Sequence, residues 1–191
     1  MKKKRIKRNE YNACITEKTI KRWAELTDKI MSEAKQGHFY RAQVLAEKGL
    51  RIAEQAFGPD SLEMVSILGE LEKLYKAQGQ YAMAASFLMR YISIMEKKIG
   101  LNDPFLAAPL NNLAELYYRQ GKYADAEVLF QSVLENLEKE FDPDHSHLAA
   151  PLNNLSGIYS KQGKFAEAEA LLVRALEINK KTLDPKDESM A

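Results

Sequence analysis

A chain of 191 residues with 46% hydrophobic and 29% charged side chains, at a net charge of +1, carries enough apolar material to fold and is not disordered as a whole. No apolar run reaches the roughly 18 residues of a membrane span, so none is expected. The single cysteine, Cys14, excludes an internal disulfide, reads as chemically inert and fits a reducing, cytoplasmic location.

The first ten residues hold six basic side chains and one acidic one, which leaves the rest of the chain slightly acidic. Residues 1–17 are read as a basic, partly disordered segment, able at most to touch an anionic surface. No apolar signal segment follows Met1-Lys2-Lys3-Lys4-Arg5, so secretion by that route is not expected. The body offers no basic field for nucleic acid.

From residue 18 onward one unit is written four times. Gly37, Gly79, Gly121 and Gly163 stand 42 residues apart. The third copy, Asn111-Asn112-Leu113-Ala114-Glu115-Leu116-Tyr117 with Gly121-Lys122-Tyr123-Ala124-Asp125-Ala126-Glu127, returns as Asn153-Asn154-Leu155-Ser156-Gly157-Ile158-Tyr159 with Gly163-Lys164-Phe165-Ala166-Glu167-Ala168-Glu169. The second copy keeps Tyr75, Gly79, Tyr81, Ala84 and Leu88, and the first keeps Gly37, Phe39, Ala42 and Ala46. A period of this size marks a solenoid, whose units bury their apolar faces only by stacking on one another. Residues 18–183 are therefore expected to form one elongated domain, followed by a short tail, 184–191.

Each unit reads as two helices around a glycine turn. Eight helices are expected over residues 18–36, 38–56, 60–78, 80–99, 104–120, 122–140, 145–162 and 164–181. In the third unit Leu106, Leu110, Leu113, Leu116 and Tyr117 form one apolar stripe, and Tyr123, Ala126, Leu129, Phe130, Val133, Leu134 and Leu137 form another. Gly121 lies between them, where a residue free to take positive φ ends one helix and releases the chain into the next. Ala126 and Ala168 are expected to let the paired helices approach, with Tyr123 and Phe165 as core rings beside them. Asp103 and Pro104 suit a helix start. Pro109 and Pro151 fall inside the front of a first helix, so that helix either begins late or bends there.

In this order of small residue, tyrosine, turn glycine, aromatic and alanine (Ala114, Tyr117, Gly121, Tyr123, Ala126; then Ser156, Tyr159, Gly163, Phe165, Ala168) the chain resembles the tetratricopeptide repeat family. The 42-residue length and the asparagine pairs resemble its kinesin-light-chain-like type. Ile30 and Glu72 replace the small residue in the first two copies, where the likeness weakens. The resemblance implies an all-α, right-handed alpha-alpha superhelix of four helix pairs, which binds an extended peptide or a partner's helix along a groove of first helices. The positions it assigns to that groove are Thr27, Met31, Lys35, Gly69, Lys73, Lys76, Asn111, Glu115, Tyr118, Asn153, Gly157, Ser160 and Lys161.

An asparagine amide both donates and accepts, so Asn111 and Asn153 suit a peptide backbone, while Asn112 and Asn154 suit bonds between helices; either pair is open to either role. The lysines among the groove positions favour a partner with acidic side chains, although Glu115 interrupts them. The cluster Asp142, Asp144, His145 and His147 contains metal-ligating groups but sits in an inter-unit loop, where acidic residues equally stabilise a helix start. His38 reads as a surface turn residue. No nucleophile with a nearby base and no phosphate-gripping glycine loop is present, so a non-catalytic protein-binding scaffold without cofactor is expected. The alternative is a structural module that associates with further copies of itself through its last helix.

Overall fold

The computed structural model describes residues 16–101 and 103–183, and all regular structure in them is helical. Among these residues eight α-helices follow in order: α1 (Glu17–Lys35), α2 (Phe39–Ala56), α3 (Leu62–Ala77), α4 (Tyr81–Ile99), α5 (Ala107–Arg119), α6 (Tyr123–Glu140), α7 (Ala149–Lys161) and α8 (Phe165–Leu183). The basic segment with Cys14, and the tail after Leu183, lie outside the described residues. No helix among those described is long and apolar enough to cross a membrane.

The four glycine turns are built alike. Gly37, Gly79, Gly121 and Gly163 have φ of 77°, 72°, 77° and 76°. In the third, the Gly121 N–H donates to the Tyr118 carbonyl at 3.0 Å and the Lys122 N–H to the Tyr117 carbonyl at 2.9 Å. This pair of bonds satisfies carbonyls that the end of α5 leaves open, and it requires a left-handed residue at the turn. A Cβ placed on Gly121 would touch nothing within 4 Å. The demand for glycine is thus conformational, worth about 1–2 kcal/mol, rather than steric.

The expected starts of the fifth and seventh helices near residues 104 and 145 need correction. Each opens with a 3-10 turn, Pro104–Leu106 or Ser146–Leu148, and the α-helix begins at Ala107 or Ala149. Of the two alternatives at Pro109 and Pro151, the late start is adopted. Both prolines become the third residue of their α-helix, where an N–H would have no intrahelical acceptor to lose. The carboxylate of Asp103 accepts from the Phe105 N–H at 2.9 Å and caps the first of these turns.

The array divides into two compact units between Lys98 and Ile99. In the first, the buried stripe of α2 is small: Ala42, Ala46, Gly49 and Ala53. A Cβ on Gly49 would stand 3.0 Å from Ile67 Cδ1, so α2 lies close to α3 there and an added methyl would require that side chain to give way. In the second unit, one layer of core joins Val133, Leu137, Leu148, Leu152, Ala175 and Ile178. The other joins Ala114, Ala126, Phe130, Leu155 and Ile158. Ala126 and Ala168 are buried, as their spacing predicts.

The rings beside those alanines are not core, contrary to expectation. Phe165 is 71% exposed, and Phe39 and Tyr123 are 40% and 38% exposed. Each ring opens a second helix on its outer side. Tyr123 keeps an edge-on contact with Tyr118 at 5.3 Å between centroids. The residue 42 positions after Tyr118 is Ser160, which offers Phe165 no ring.

The polar links between the two repeats of the first unit recur 84 residues later in the second unit. In the first unit the Tyr75 hydroxyl donates to Glu47 Oε1 at 2.7 Å, and the Gln78 amide to Gln43 Oε1 at 2.9 Å. In the second unit the Gln131 amide donates to the Tyr159 hydroxyl at 3.1 Å, and the Gln162 amide donates to Glu127. The ion pairs Arg90–Glu54 and Lys97–Asp60 return as Arg174–Glu138 and Lys181–Asp144. Each unit is therefore fastened internally by one version of the same set.

The Tyr75–Glu47 link makes stability depend on pH. The phenol hydroxyl, and then the Gln43 amide, hold the Glu47 carboxyl below its ordinary pKa. Burial, and then Glu47, push the Tyr75 phenol above its own. A lowered carboxylate stabilises the fold above its unfolded pKa, and that contribution is lost as pH falls through the folded value. A raised phenol contributes below its unfolded pKa and loses the contribution as pH rises through the folded value. Tyr75→Phe should thus cost about 1–2 kcal/mol at neutral pH. The deficit should shrink in strong acid, as the pH falls through the lowered folded pKa of Glu47 and its carboxyl becomes protonated in both proteins. Urea melts of the two proteins at neutral pH and in acid check this, and an unchanged deficit in acid would refute it.

Candidate functional site

The residues assigned to the groove fall on α1 and α3 in the first unit and on α5 and α7 in the second. In the first unit Thr27 is half-buried and its hydroxyl donates to the Ala24 carbonyl at 2.9 Å. Met31 is 43% exposed and Lys35 is exposed in the last turn of α1. On α3, Gly69 and Lys76 are half-buried, and the exposed Lys73 pairs with Glu70 at 2.9 Å. That pairing offsets one cation of the expected basic series.

In the second unit the asparagines divide their roles differently from their lattice positions. The Asn154 amide donates to Asn111 Oδ1 at 3.1 Å and ties α7 to α5. Asn153 and Asn112 are exposed. One member of each pair thus fastens the helices and the other meets solvent, but the fastening members are the second asparagine of one repeat and the first of the other. The cause is geometric. Two neighbouring parallel copies of a helix cannot both offer the same position to their mutual contact, so unlike positions meet.

The rest of this face is small or polar. Glu115 is half-buried with Arg119 Nη2 at 3.6 Å, Tyr118 is half-buried beside Tyr123, and Gly157 is half-buried on α7. At its end Ser160 and Lys161 reach solvent, and Lys161 presents an exposed positive charge.

Sequence reasoning missed a cleft of about 420 Å³ where α5 and α7 begin. Pro104, Phe105, Ala107, Ala108 and Ala150 wall it, with Asn111, Asn112, Ser146 and His147 supplying polar edges. Phe105 is 82% exposed and gives the cleft an apolar edge. The hint in the sequence is a phenylalanine directly after a capped proline. Because His147 occupies the place 42 residues later, the repeat pattern gives Phe105 no weight.

The loop cluster of Asp142, Asp144, His145 and His147 is engaged in other contacts. Asp144 pairs with Lys181. The His145 ring stacks on Phe141 with centroids 4.2 Å apart, and its Nδ1 accepts from the His147 N–H at 3.3 Å. Among the described residues no three such side chains come together to hold a metal ion. His38 is exposed at its turn, 3.0 Å from Glu33.

Residues 105–181 match a family model described as Tetratricopeptide repeat. No curated protein sequence matches the chain. Among solved structures, the putative kinesin light chain nearly identical TPR-like repeats of Podosopora anserina are 24% identical with a TM-score of 0.75, over 84% of this chain and 76% of that one. BtubC (BKLC) from P. vanneervenii is 21% identical with a TM-score of 0.74, over 88% of this chain and 68% of that one. At these identities the likeness is one of fold. Residues 105–181 are thus similar to tetratricopeptide repeats, and over 84–88% of its length the chain shares the fold of these two solved repeat proteins.

Proposed function

We propose that the protein is a non-catalytic scaffold that holds an extended segment of another protein against the first-helix face of its second unit. The observation that supports this most is the cleft beside accessible amides. Phe105, Pro104 and the alanines offer an apolar seat for one side chain, and Asn112 and Asn153 lie along the same face to pair with a peptide backbone. Backbone pairing supplies grip without reading sequence, and the cleft supplies a preference for an apolar or aromatic side chain. Exposed Lys161 adds a weak preference for an acidic residue further along. The first unit offers a similar face of its own, with Met31 and Lys35 exposed.

A displayed library of random peptides, panned on the purified protein, tests the reading. Enriched peptides should share one apolar side chain. Phe105→Ala should weaken their binding by about tenfold or more, and Asn153→Ala by a few-fold, with helicity and melting unchanged. Asn111→Ala should instead lower stability, because its oxygen carries the bond from Asn154. Peptides that bind equally well to the Phe105 and Asn153 variants would overturn the proposal.

A further inference from the structure

The outward side of α8 is an apolar row with no described element packed on it. Phe165, Leu172, Val173 and Leu176 are 71%, 46%, 48% and 53% exposed. At 100° per residue these four fall within one side of the helix, and Glu169 and Lys180 fall on the same side. The row occupies the places at which this fold stacks one repeat on the next. Leu172 corresponds, 42 residues on, to Phe130, which is 1% exposed and shares a core with Leu155 and Ile158 of α7. Val173 corresponds to Gln131, which bonds to Tyr159.

We propose that this row is covered by the same row of a second copy of the chain, the two α8 helices lying antiparallel about a two-fold axis near Arg174. Two observations favour that occupant. The first concerns α1, the first helix among the described residues. A head-to-tail stack would set α8 on α1, whose residues at the places of Leu155, Ile158 and Tyr159 are Lys29, Ser32 and Glu33. A charged surface does not cover an apolar one, so an open chain of copies is disfavoured. The second is the charge order along the row. Glu169 is exposed near its start and Lys180 is exposed near its end, and neither has an ion-pair partner among the described residues.

In the antiparallel arrangement Leu172 meets the second copy's Leu176, and Glu169 meets the second copy's Lys180, each contact occurring twice. A parallel arrangement would set Glu169 against Glu169 and Lys180 against Lys180. The charges therefore choose the orientation and the leucines supply the burial. The surface lies on α8, apart from the cleft at the starts of α5 and α7, so the pairing stands or falls independently of peptide binding.

Sedimentation velocity of the full chain over about a hundredfold range of concentration is the test. The wild type should pass from monomer to dimer and stop there. Leu172→Glu with Leu176→Glu should abolish the dimer, and because both residues are exposed the fold should survive, as circular dichroism will show. Glu169→Lys or Lys180→Glu alone should each weaken the dimer by about tenfold. The double swap Glu169→Lys with Lys180→Glu should restore it. A wild type that stays monomeric, as it would if another part of the chain covered α8, overturns the proposal. So does a series of species growing beyond the dimer, a dimer that ignores the leucine changes, or a double swap that fails to recover.

Discussion

Phe130→Ala should destabilise the second unit by about 3–5 kcal/mol, the largest loss expected from any single change in this chain. Phe130 is 1% exposed and stands in the core layer that joins Ala114 and Ala126 of one repeat to Leu155 and Ile158 of the next. Removing the ring leaves a cavity in a layer where two of the neighbours, Ala114 and Ala126, are too short to lean in and fill it. The ring bridges the junction between these repeats, so without it the fourth repeat loses its seat on the third. Phe165→Ala is the control. It removes the same ring from a residue that is 71% exposed, and in dilute solution it should change stability by no more than about 0.5 kcal/mol. Urea melts of both variants decide the matter. Equal effects would mean that the burial assigned to these two rings is wrong.

Ala126→Leu should cost about 1–3 kcal/mol, for the opposite reason. Ala126 is fully buried against Ala114, and the two methyl groups set how closely α5 and α6 approach. Three added carbons must either push the helices apart or take a strained rotamer, and the first response also disturbs the glycine turn between them. Ala124, two residues earlier, is exposed, and Ala124→Leu should be near neutral. Thermal melts of the two variants compare them directly. A stable Ala126→Leu protein would show that this pair has slack that its burial does not suggest.

The repeat is plain in the sequence because its period is written in residues whose roles are local. A glycine that must adopt positive φ, an alanine that must leave room and leucines at spacings of three and four can each be read without knowing what they touch. The prolines are legible only as a choice between two outcomes, since a 3-10 turn before the α-helix depends on how Leu106 and Leu148 reach the core. The turn rings defeat a reading by position, because a place in the lattice does not guarantee cover. Cover depends on a neighbouring side chain, and Tyr118 and Ser160 differ in that respect.

At the candidate site the repeat pattern indicates the face but not the cleft. Phe105 breaks the lattice, so a reading founded on recurrence passes over it, and the asparagines recur without keeping one role. The 84-residue recurrence of the polar links is likewise hidden. It is carried by pairs some 35 residues apart, such as Arg90 with Glu54, and becomes visible only when their distances are known.

Helices, turns, the number of repeats and the family likeness all follow from the amino-acid order, because periodicity and backbone preference act within a turn or two of chain. Which rings are buried, which asparagine oxygen is engaged, where the cleft opens and which side of α8 lies bare follow only from the folded arrangement. Those outcomes depend on what stands opposite a side chain, and that neighbour comes from another repeat.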